Sequence, residues 1–224
     1  RILIWKKFKK FSFIKMDIQN ENKLKLLLKN NQYDYVIHLA AQVGVRYCQT
    51  NPKKYIDTNI LGFFSLLNNL RYTKLKKIIY ASSSSVYGDK KKFPIKESDS
   101  LNPKNIYGLS KKFNEELASL FLHKTQLVGL RFFTVYGEWG RPDMFFLKIL
   151  KSIVNKKKFF LHNNGNHYRD FTYINDVVNL ICKLLNSKIK ARHEIFNICS
   201  SKPVLIKNLV SKIEKIFGRS KKYK

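Results

Sequence analysis

Short apolar runs alternate with segments of helical spacing over the first 137 residues. The runs at Tyr33–Ala41 (YDYVIHLAA), Lys76–Ser84 and Gln126–Gly137 are rich in β-branched and aromatic residues, as strands buried on both faces are. Apolar residues recur at helical spacing over 56–70, and a second helix is predicted from about Asn105 to His123. Strands that alternate with helices of this length predict right-handed βαβ units and a parallel sheet, and therefore an α/β fold.

The sequence after Gly137 changes in character and is more polar and aromatic. A loop rich in Gly, Pro and Trp (GEWGRPDM) opens it. The predicted elements that follow are a helix from about Met144, a short strand over 158–163 (KFFLHN), a polar turn over 164–176, a helix over 176–185, a strand over 194–200 and an amphipathic helix over 205–218. Irregular segments of this composition usually line a site rather than fill a core.

Composition limits the class of protein. At 224 residues and 44% hydrophobic content the chain can bury a sizeable core. No apolar run approaches the roughly 18 residues of a membrane span, so we expect a cytoplasmic protein with no membrane contact. The Cys and His residues lack metal-ligand spacing, which predicts no metal site. The net charge of +29 comes from lysines spread along the chain, so no nucleic-acid partner is expected.

Tyr107 and Lys111 form the first candidate for chemistry. Four residues apart on a helix, they share one face, where an ammonium can stabilise a phenolate and lower its pKa from about 10. A tyrosine so activated can take a proton from an alcohol. Spacing alone is weak support, because the pattern YxxxK occurs three times in this lysine-rich chain.

The serine run Ser82–Ser85 distinguishes this match from the other two. It ends a predicted parallel strand, and open α/β sheets bind ligands at the carboxyl ends of their strands. A hydroxyl there can share a proton with Tyr107 and hydrogen-bond the reacting oxygen. The alternative is a polar strand-to-loop turn, which the downstream Tyr107 and Lys111 disfavour.

Five segments together resemble the NAD-dependent sugar-nucleotide epimerases of the extended short-chain dehydrogenase/reductase family: HLAAQVGVRY, YASSSSVYG, YGLSKK, LRFFTVYGEWGRPDM and RDFTYINDV. The resemblance runs from about Asp17 to Lys224 and is strongest to UDP-glucuronate 4-epimerases. It implies a doubly wound, Rossmann-like parallel sheet with a smaller α+β substrate-binding part. The implied division is an incomplete NAD-binding domain over 1–135 and a partial sugar-nucleotide-binding domain over 136–224, with the strand and helix near 194–217 returning toward the main sheet.

The resemblance also implies a reaction and the residues that perform it. The reaction is the 4-epimerisation of a UDP-sugar, UDP-glucuronate to UDP-galacturonate, with NAD as cofactor and a 4-keto sugar as intermediate. Tyr107 is the implied base, Lys111 its electrostatic partner and a ribose ligand, and Ser83 the catalytic hydroxyl. The implied substrate-binding residues are Ser84, Ser85, Thr134, Arg141, Arg169 and Arg46. The implied cofactor-binding residues are Asp17, Ile18, Leu39, Ala40, Ala41, Asn59, Ala81, Ser82, Tyr107, Lys111 and Phe132.

Arginine is scarce, with eight residues against 36 lysines (44 basic residues less eight), yet Arg46, Arg131, Arg141 and Arg169 lie within these segments. Guanidinium groups bind carboxylates and phosphates in a bidentate manner that lysine cannot match. The resemblance places Arg169 at the UDP diphosphate, and we assign Arg141 to a C6 carboxylate, with Arg46 a weaker choice. A structural salt bridge is the alternative for each arginine.

The family's glycine-rich turn, GxxGxxG, is missing from this sequence, whose one GxxG lies far downstream at Gly137 and Gly140. The chain also begins at Arg1 rather than at a methionine. We therefore expect a fragment without the first βαβ unit, which alone neither holds NAD nor turns over substrate; an inactive remnant is one interpretation.

Two enzymatic alternatives and one oligomeric expectation accompany this interpretation. A 4-epimerase acting on UDP-glucose or UDP-N-acetylglucosamine stays open. A 4,6-dehydratase is disfavoured, because that chemistry needs Asp-Glu after the catalytic hydroxyl, where this chain has Ser84 and Ser85. The resemblance further implies a homodimer, built as a four-helix bundle from the helices at about Pro52–Tyr72 and Asn105–His123.

Overall fold

Four parallel strands form the central sheet of the protein, in the order β1-β2-β3-β7. A computed structural model describes residues 2–45, 47–90, 92–121 and 124–217. The helices are α1 (Ile2–Trp5), α2 (Glu21–Asn30), α3 (Tyr47–Thr50), α4 (Pro52–Tyr55), α5 (Gly62–Leu70), α6 (Ile106–Leu120), α7 (Phe145–Val154), α8 (Ile174–Asn186) and α9 (Ile206–Ile216). The strands are β1 (Tyr35–His38), β2 (Lys77–Ser83), β3 (Gln126–Phe132), β4 (Thr134–Tyr136), β5 (Tyr168–Arg169), β6 (Phe171–Tyr173), β7 (His193–Ile198) and β8 (Val204–Leu205).

Helices cover both faces of this sheet, because alternate side chains of β2 point in opposite directions. Ile78 and Tyr80 pack with α2, α5 and α6 in one cluster of apolar residues. Ile79, between them, packs with Val128 and with α8 in a second cluster on the other face. The predicted α/β class and the doubly wound parallel sheet are therefore confirmed.

The second half is built around a third apolar cluster, in which Ile149 of α7 meets Val210 of α9. Two small sheets border it, one pairing β4 with β6 in parallel and one pairing β5 with β8 antiparallel. Strand β7 lies in the main sheet beside β3, with His193 opposite Leu127. The chain thus crosses back to the central sheet after α8.

Several predicted elements differ in the structure. The strand predicted over 158–163 is wrong: that stretch has no strand, and the 3₁₀ turn His162–Gly165 follows with positive φ at Asn163 and Asn164. The strand predicted over 126–137 is divided at Phe133 between β3 and β4. The predicted polar turn over 164–176 contains β5 and β6, and helix α2 was not predicted at all.

Strand β1 pairs with one neighbour, β2, among the described residues, so its other edge is open. Near that edge Ile37 and Leu39 are 42% and 55% exposed. This open edge fits the expectation that the first βαβ unit of a doubly wound sheet is not part of these 224 residues. Within the described ranges, no helix has both the length and the apolar character needed to cross a bilayer.

Candidate active site

The start of α6 is held against the end of β2, which brings Tyr107 to the serine run. The Asn105 side chain caps α6 by accepting a hydrogen bond from the Gly108 amide at 2.9 Å. A Cβ on Gly108 would lie 2.6 Å from the Ser85 carbonyl oxygen, so only glycine permits this approach. Ser83 thereby reaches Tyr107 and hydrogen-bonds its side chain.

The pKa of Tyr107 is raised, and its causes act in opposite directions. Burial raises this pKa most, while the hydrogen bond with Ser83 and the positive charge of Arg141 both lower it. The sequence predicted Lys111 as the group that lowers the tyrosine pKa. In the structure the groups acting in that direction are Ser83 and Arg141.

Lys111 is almost fully buried, with 1% of its surface exposed. Its Nζ donates a hydrogen bond to the Ala81 carbonyl at 2.7 Å, so the ammonium is fixed at the end of β2. Burial lowers the pKa of Lys111 to about 8, while the negative charge of Glu115 acts to raise it. The lysine is therefore held in place by β2 and retains its charge near neutral pH.

Glu115 and Arg131 form a buried ion pair beneath these residues, with 3% and 4% of their side chains exposed. Arg131 donates from Nε to Oε1 at 2.9 Å and from Nη2 to Oε2 at 2.8 Å, and Ser82 donates from Oγ to Oε1. Arg131 thus has the structural role that the sequence left as its alternative. The side chain of Ser82, an implied cofactor contact, is engaged with Glu115.

Sequence reasoning missed Glu115 although a signal was present. Glu115 follows Lys111 by four residues, on the same face of α6, in a chain with only 15 acidic residues. A carboxylate on the buried face of a helix needs a cationic partner. The choice among 44 basic residues could not be made without the fold.

Asn59 joins the loop after β1 to helix α6. It lies in a π-helical segment, Ile56–Leu61, and is 1% exposed. Its Oδ1 accepts from the Gln42 amide at 2.7 Å, and its Nδ2 donates to the Gln42 carbonyl at 3.0 Å and to Ser110 Oγ at 3.1 Å. These contacts position the loop; a direct contact of Asn59 with a cofactor stays a prediction.

Tyr55 secures the same loop beside the catalytic tyrosine. Its hydroxyl donates to the carbonyl oxygens of Val43 and Gly44 at 3.0 and 2.6 Å. Its ring meets that of Tyr107 edge-on, with the centroids 6.2 Å apart. The aromatic contact restricts where the Tyr107 ring can lie.

The other residues implied for the cofactor fall into two groups. Leu39, Ala40, Ala41, Ala81 and Phe132 lie at or just beyond the carboxyl ends of β1, β2 and β3, along one edge of the sheet. Asp17 is exposed, and Ile18 is half-buried against the core that contains α5.

The residues of this site fit the nicotinamide end of NAD but not its pyrophosphate. A fixed lysine ammonium beside a tyrosine suits a ribose with two hydroxyls, so the residues at the ends of β2 and α6 fit the nicotinamide end. The sequence supplies no glycine-rich turn for the pyrophosphate. Within the described residues, no group of three His, Cys, Asp or Glu side chains could hold a metal ion.

The described residues implied for the substrate lie on several segments after β2. Ser84 and Ser85 are half-buried in a 3₁₀ turn, and half-buried Thr134 begins β4 with its amide bonded to the Asp170 carbonyl at 3.1 Å. Arg141 pairs with Asp143 through two hydrogen bonds of 3.0 Å, both partly exposed. Arg169 is exposed on β5. Arg46 lies outside the described residues.

A tyrosine and a lysine on one helix, beside a serine-ended strand of a doubly wound parallel sheet, define an enzyme of the short-chain dehydrogenase/reductase class. The chain belongs to the NAD dependent epimerase/dehydratase family, whose family model matches residues 4–199.

Several known proteins are similar to this chain, and UDP-glucuronate 4-epimerases are among them. The chain is 39% identical over 228 residues to protein CapI of Staphylococcus aureus, a match covering 93% of this chain and 68% of that protein. It is 39% identical over 217 residues to UDP-glucuronate 4-epimerase 4 of Arabidopsis thaliana, covering 89% of this chain and 50% of that one. A UDP-glucuronic acid 4-epimerase from Bacillus cereus, solved with UDP-glucuronic acid and NAD, superposes with a TM-score of 0.93 at 34% identity, covering 100% of this chain and 71% of that one.

Proposed function

We propose that these residues are the catalytic part of an NAD-dependent 4-epimerase that interconverts UDP-glucuronate and UDP-galacturonate. The observation that carries the proposal is the packing of the start of α6 against the end of β2, where Gly108 closely approaches the Ser85 carbonyl and Lys111 Nζ donates to the Ala81 carbonyl at 2.7 Å. Similarity to the UDP-glucuronate 4-epimerases of Arabidopsis thaliana and Bacillus cereus supports the choice of substrate.

Tyr107 is the residue that moves the proton. Its phenolic oxygen takes the proton of the sugar C4 hydroxyl. The Ser83 hydroxyl hydrogen-bonds the phenolic oxygen and fixes the orientation of the tyrosine side chain. NAD, when bound, supplies the acceptor for the C4 hydride and returns it. Tyr107 then gives its proton back to the C4 oxygen after the keto sugar has presented its other face, so the reaction is redox-neutral.

The raised pKa of Tyr107 must fall for this step. Ser83 and Arg141 already act in that direction, and Lys111 is held one helical turn away with its charge retained. Lys111 is also positioned to bind the nicotinamide ribose. The tyrosine is therefore most easily ionised in the loaded enzyme, where the cofactor's positive nicotinamide ring adds to these charges.

Arg141 is the proposed selector for the C6 substituent. Its guanidinium now binds Asp143 in a bidentate manner at 3.0 Å, which shows that a carboxylate fits this arginine. A C6 carboxylate would replace Asp143, whereas the C6 hydroxyl of UDP-glucose would leave that pair intact. Epimerisation of UDP-glucose or UDP-N-acetylglucosamine is the second candidate, and it requires no role for Arg141.

A homodimer is part of the proposal. Two helical segments expose apolar side chains that are each between 42% and 54% exposed. The continuous segment formed by Ile56–Leu61 and α5 exposes Ile56 and Phe64, and α6 exposes Leu109 and Phe113. Packing against a second copy as a four-helix bundle would bury them. Light scattering during size exclusion tests this, with Phe113→Glu expected to give a monomer. A cytoplasmic location also belongs to the proposal, and cell fractionation tests it.

The substrate is tested in a chain completed with the first βαβ unit of the Bacillus cereus enzyme. We expect this chimera to bind NAD and to convert UDP-glucuronate faster than UDP-glucose. Arg141→Gln should remove that preference while NAD binding stays unchanged. Faster conversion of UDP-glucose by the unmutated chimera would overturn the choice of substrate.

The 224 residues alone serve as the matched control for the chimera. They should neither bind NAD at micromolar concentration nor convert either sugar. A chimera that binds NAD but converts neither sugar would show that these residues are an inactive remnant.

A further inference from the structure

Two histidines without a role in the proposed reaction lie beside Arg169. His162 is in the 3₁₀ turn that precedes β5, and His167 comes immediately before β5. Their rings meet edge to face with centroids 5.9 Å apart. His167 precedes Arg169 by two positions, and the positive charge of Arg169 acts on its ring.

His167 has an unused hydrogen-bonding atom. Its Nδ1 is buried and has no partner among the described residues. The backbone around it is fully engaged, since the His167 carbonyl accepts from the Ile206 amide at 3.0 Å. Buried polar atoms without partners are rare, and such an atom indicates that a partner or a proton arrives in another state of the protein.

Two cationic residues lie on the elements around His167. Arg169 is on β5, and Lys207 is near the start of α9, where its backbone closely approaches Gly165. Strand β8 contributes Val204 and Leu205, which carry no charge.

The nearest acid does not offset these charges. The Asp170 carboxylate instead accepts from the amides of Ser200 and Lys202 at 2.7 and 3.1 Å. Burial, Arg169 and His162 together lower the pKa of His167, which favours its neutral ring in the free protein.

We propose that His167 is a further diphosphate-binding residue, which takes up a proton when the diphosphate of a UDP-sugar binds beside Arg169. The inference rests on the proposed function and on the expectation, drawn from the resemblance, that the diphosphate lies at Arg169. Two negative charges there would offset the positive charges around His167, and the imidazolium can donate a charge-assisted hydrogen bond to a phosphate oxygen.

Proton uptake on binding makes affinity depend on pH. Where the bound form holds one more proton than the free form, affinity rises as pH falls, by up to about tenfold for each pH unit between the two pKa values of His167. UDP-glucose is the suitable probe, because its diphosphate is fully ionised between pH 5 and 8. The pH dependence then belongs to the protein.

The test follows the imidazole Hε1 signals by NMR, with and without UDP-glucose, in the 224-residue chain and in the chimera. We expect the ligand to raise the pKa of His167 and affinity to increase at least threefold between pH 7.5 and pH 6. His167→Gln should abolish this increase, whereas His162→Gln should retain it. His193, bonded to the Tyr80 hydroxyl at 2.7 Å, serves as an unaffected reference signal.

The outcomes separate the inference from the proposed function. Binding of UDP-glucose with equal affinity at both pH values, without movement of the His167 signal, would overturn the inference and leave the epimerase proposal intact. Failure of the completed chimera to bind UDP-glucose at any pH would overturn both. The wild-type titration requires no variant, so a misfolded variant cannot obscure the result.

Discussion

The Arg131–Glu115 pair offers the sharpest test of how the site is supported. Its guanidinium and carboxylate make two hydrogen bonds, at 2.9 and 2.8 Å, and both side chains are less than 5% exposed. Replacing Arg131 by methionine leaves the Glu115 carboxylate buried with the Ser82 hydroxyl as its remaining partner. Breaking a buried pair in this way costs about 3–5 kcal/mol, against a total stability of about 5–15 kcal/mol for a typical domain.

Urea denaturation monitored by circular dichroism measures this cost. The double variant Arg131→Met, Glu115→Leu removes both charges, so we expect it to recover most of the loss. Lys76→Met is the matched control, because Lys76 and Asp34 also lie 2.8 Å apart but are 66% and 65% exposed. If Arg131→Met were no more harmful than Lys76→Met, or if the double variant were no more stable than Arg131→Met, the argument would be refuted.

Three further predictions concern helix α6 and the residue that caps it. Asn105→Ala removes the side chain that caps the Gly108 amide and should lower the free energy of unfolding by about 0.5–2 kcal/mol. Asn105→Ser can still cap the helix and should lower this free energy little. Equal losses of stability in the two variants would contradict the capping role. Gly108→Ala should destabilise the chain more than an alanine at the exposed Glu116 of the same helix, because the new Cβ would meet the Ser85 carbonyl; a gain in melting temperature would refute this. Lys111→Met tests the burial of a charge, because the lysine pKa falls from 10.5 to about 8 on folding. As pH rises from 8 to 10.5, the free energy of unfolding of the wild type should increase by up to about 3 kcal/mol relative to that of the variant. A constant difference between the two over that range would contradict the prediction.

Local patterns in the sequence were sufficient for the sheet and for helix α6. The apolar runs became β1, β2 and β3. Strands β2 and β3 are buried between two layers of helices, where hydrophobic pattern decides the structure, whereas β1 packs on one face through Val36 and leaves Ile37 42% exposed. The residues around Tyr107 and Lys111 formed a helix because apolar periodicity and the Asn105 cap agree. The serine run begins within the buried end of β2, where Ser82 and Ser83 are 2% and 7% exposed, and continues into the turn that follows.

Patterns failed where packing overrides local preference. Phe159 and Leu161 belong to an apolar cluster, but they reach it from an irregular backbone that ends in left-handed asparagines rather than from a strand. Helix α2 was missed because it buries a single residue, Leu24, and so carries little apolar periodicity.

Contacts between distant parts of the chain could not be predicted from the sequence. The pairing of Arg131 with Glu115 and of Asn59 with Gln42 joins residues 16 and 17 positions apart on different elements. The sequence identified both Arg131 and Asn59 as unusual. Their partners follow from the sheet order, which brings β3 and the loop after β1 to the same helix, α6.

The central claim is that Tyr107 performs the proton transfer at C4. Its most direct test is the rate at which the completed chimera converts UDP-glucuronate to UDP-galacturonate, followed by proton NMR, with and without Tyr107→Phe. We predict that the variant retains NAD binding and loses about 10²- to 10⁴-fold in rate, the range expected for a lost general base. A Tyr107→Phe variant that converts the sugar within twofold of the unmutated chimera would contradict the account.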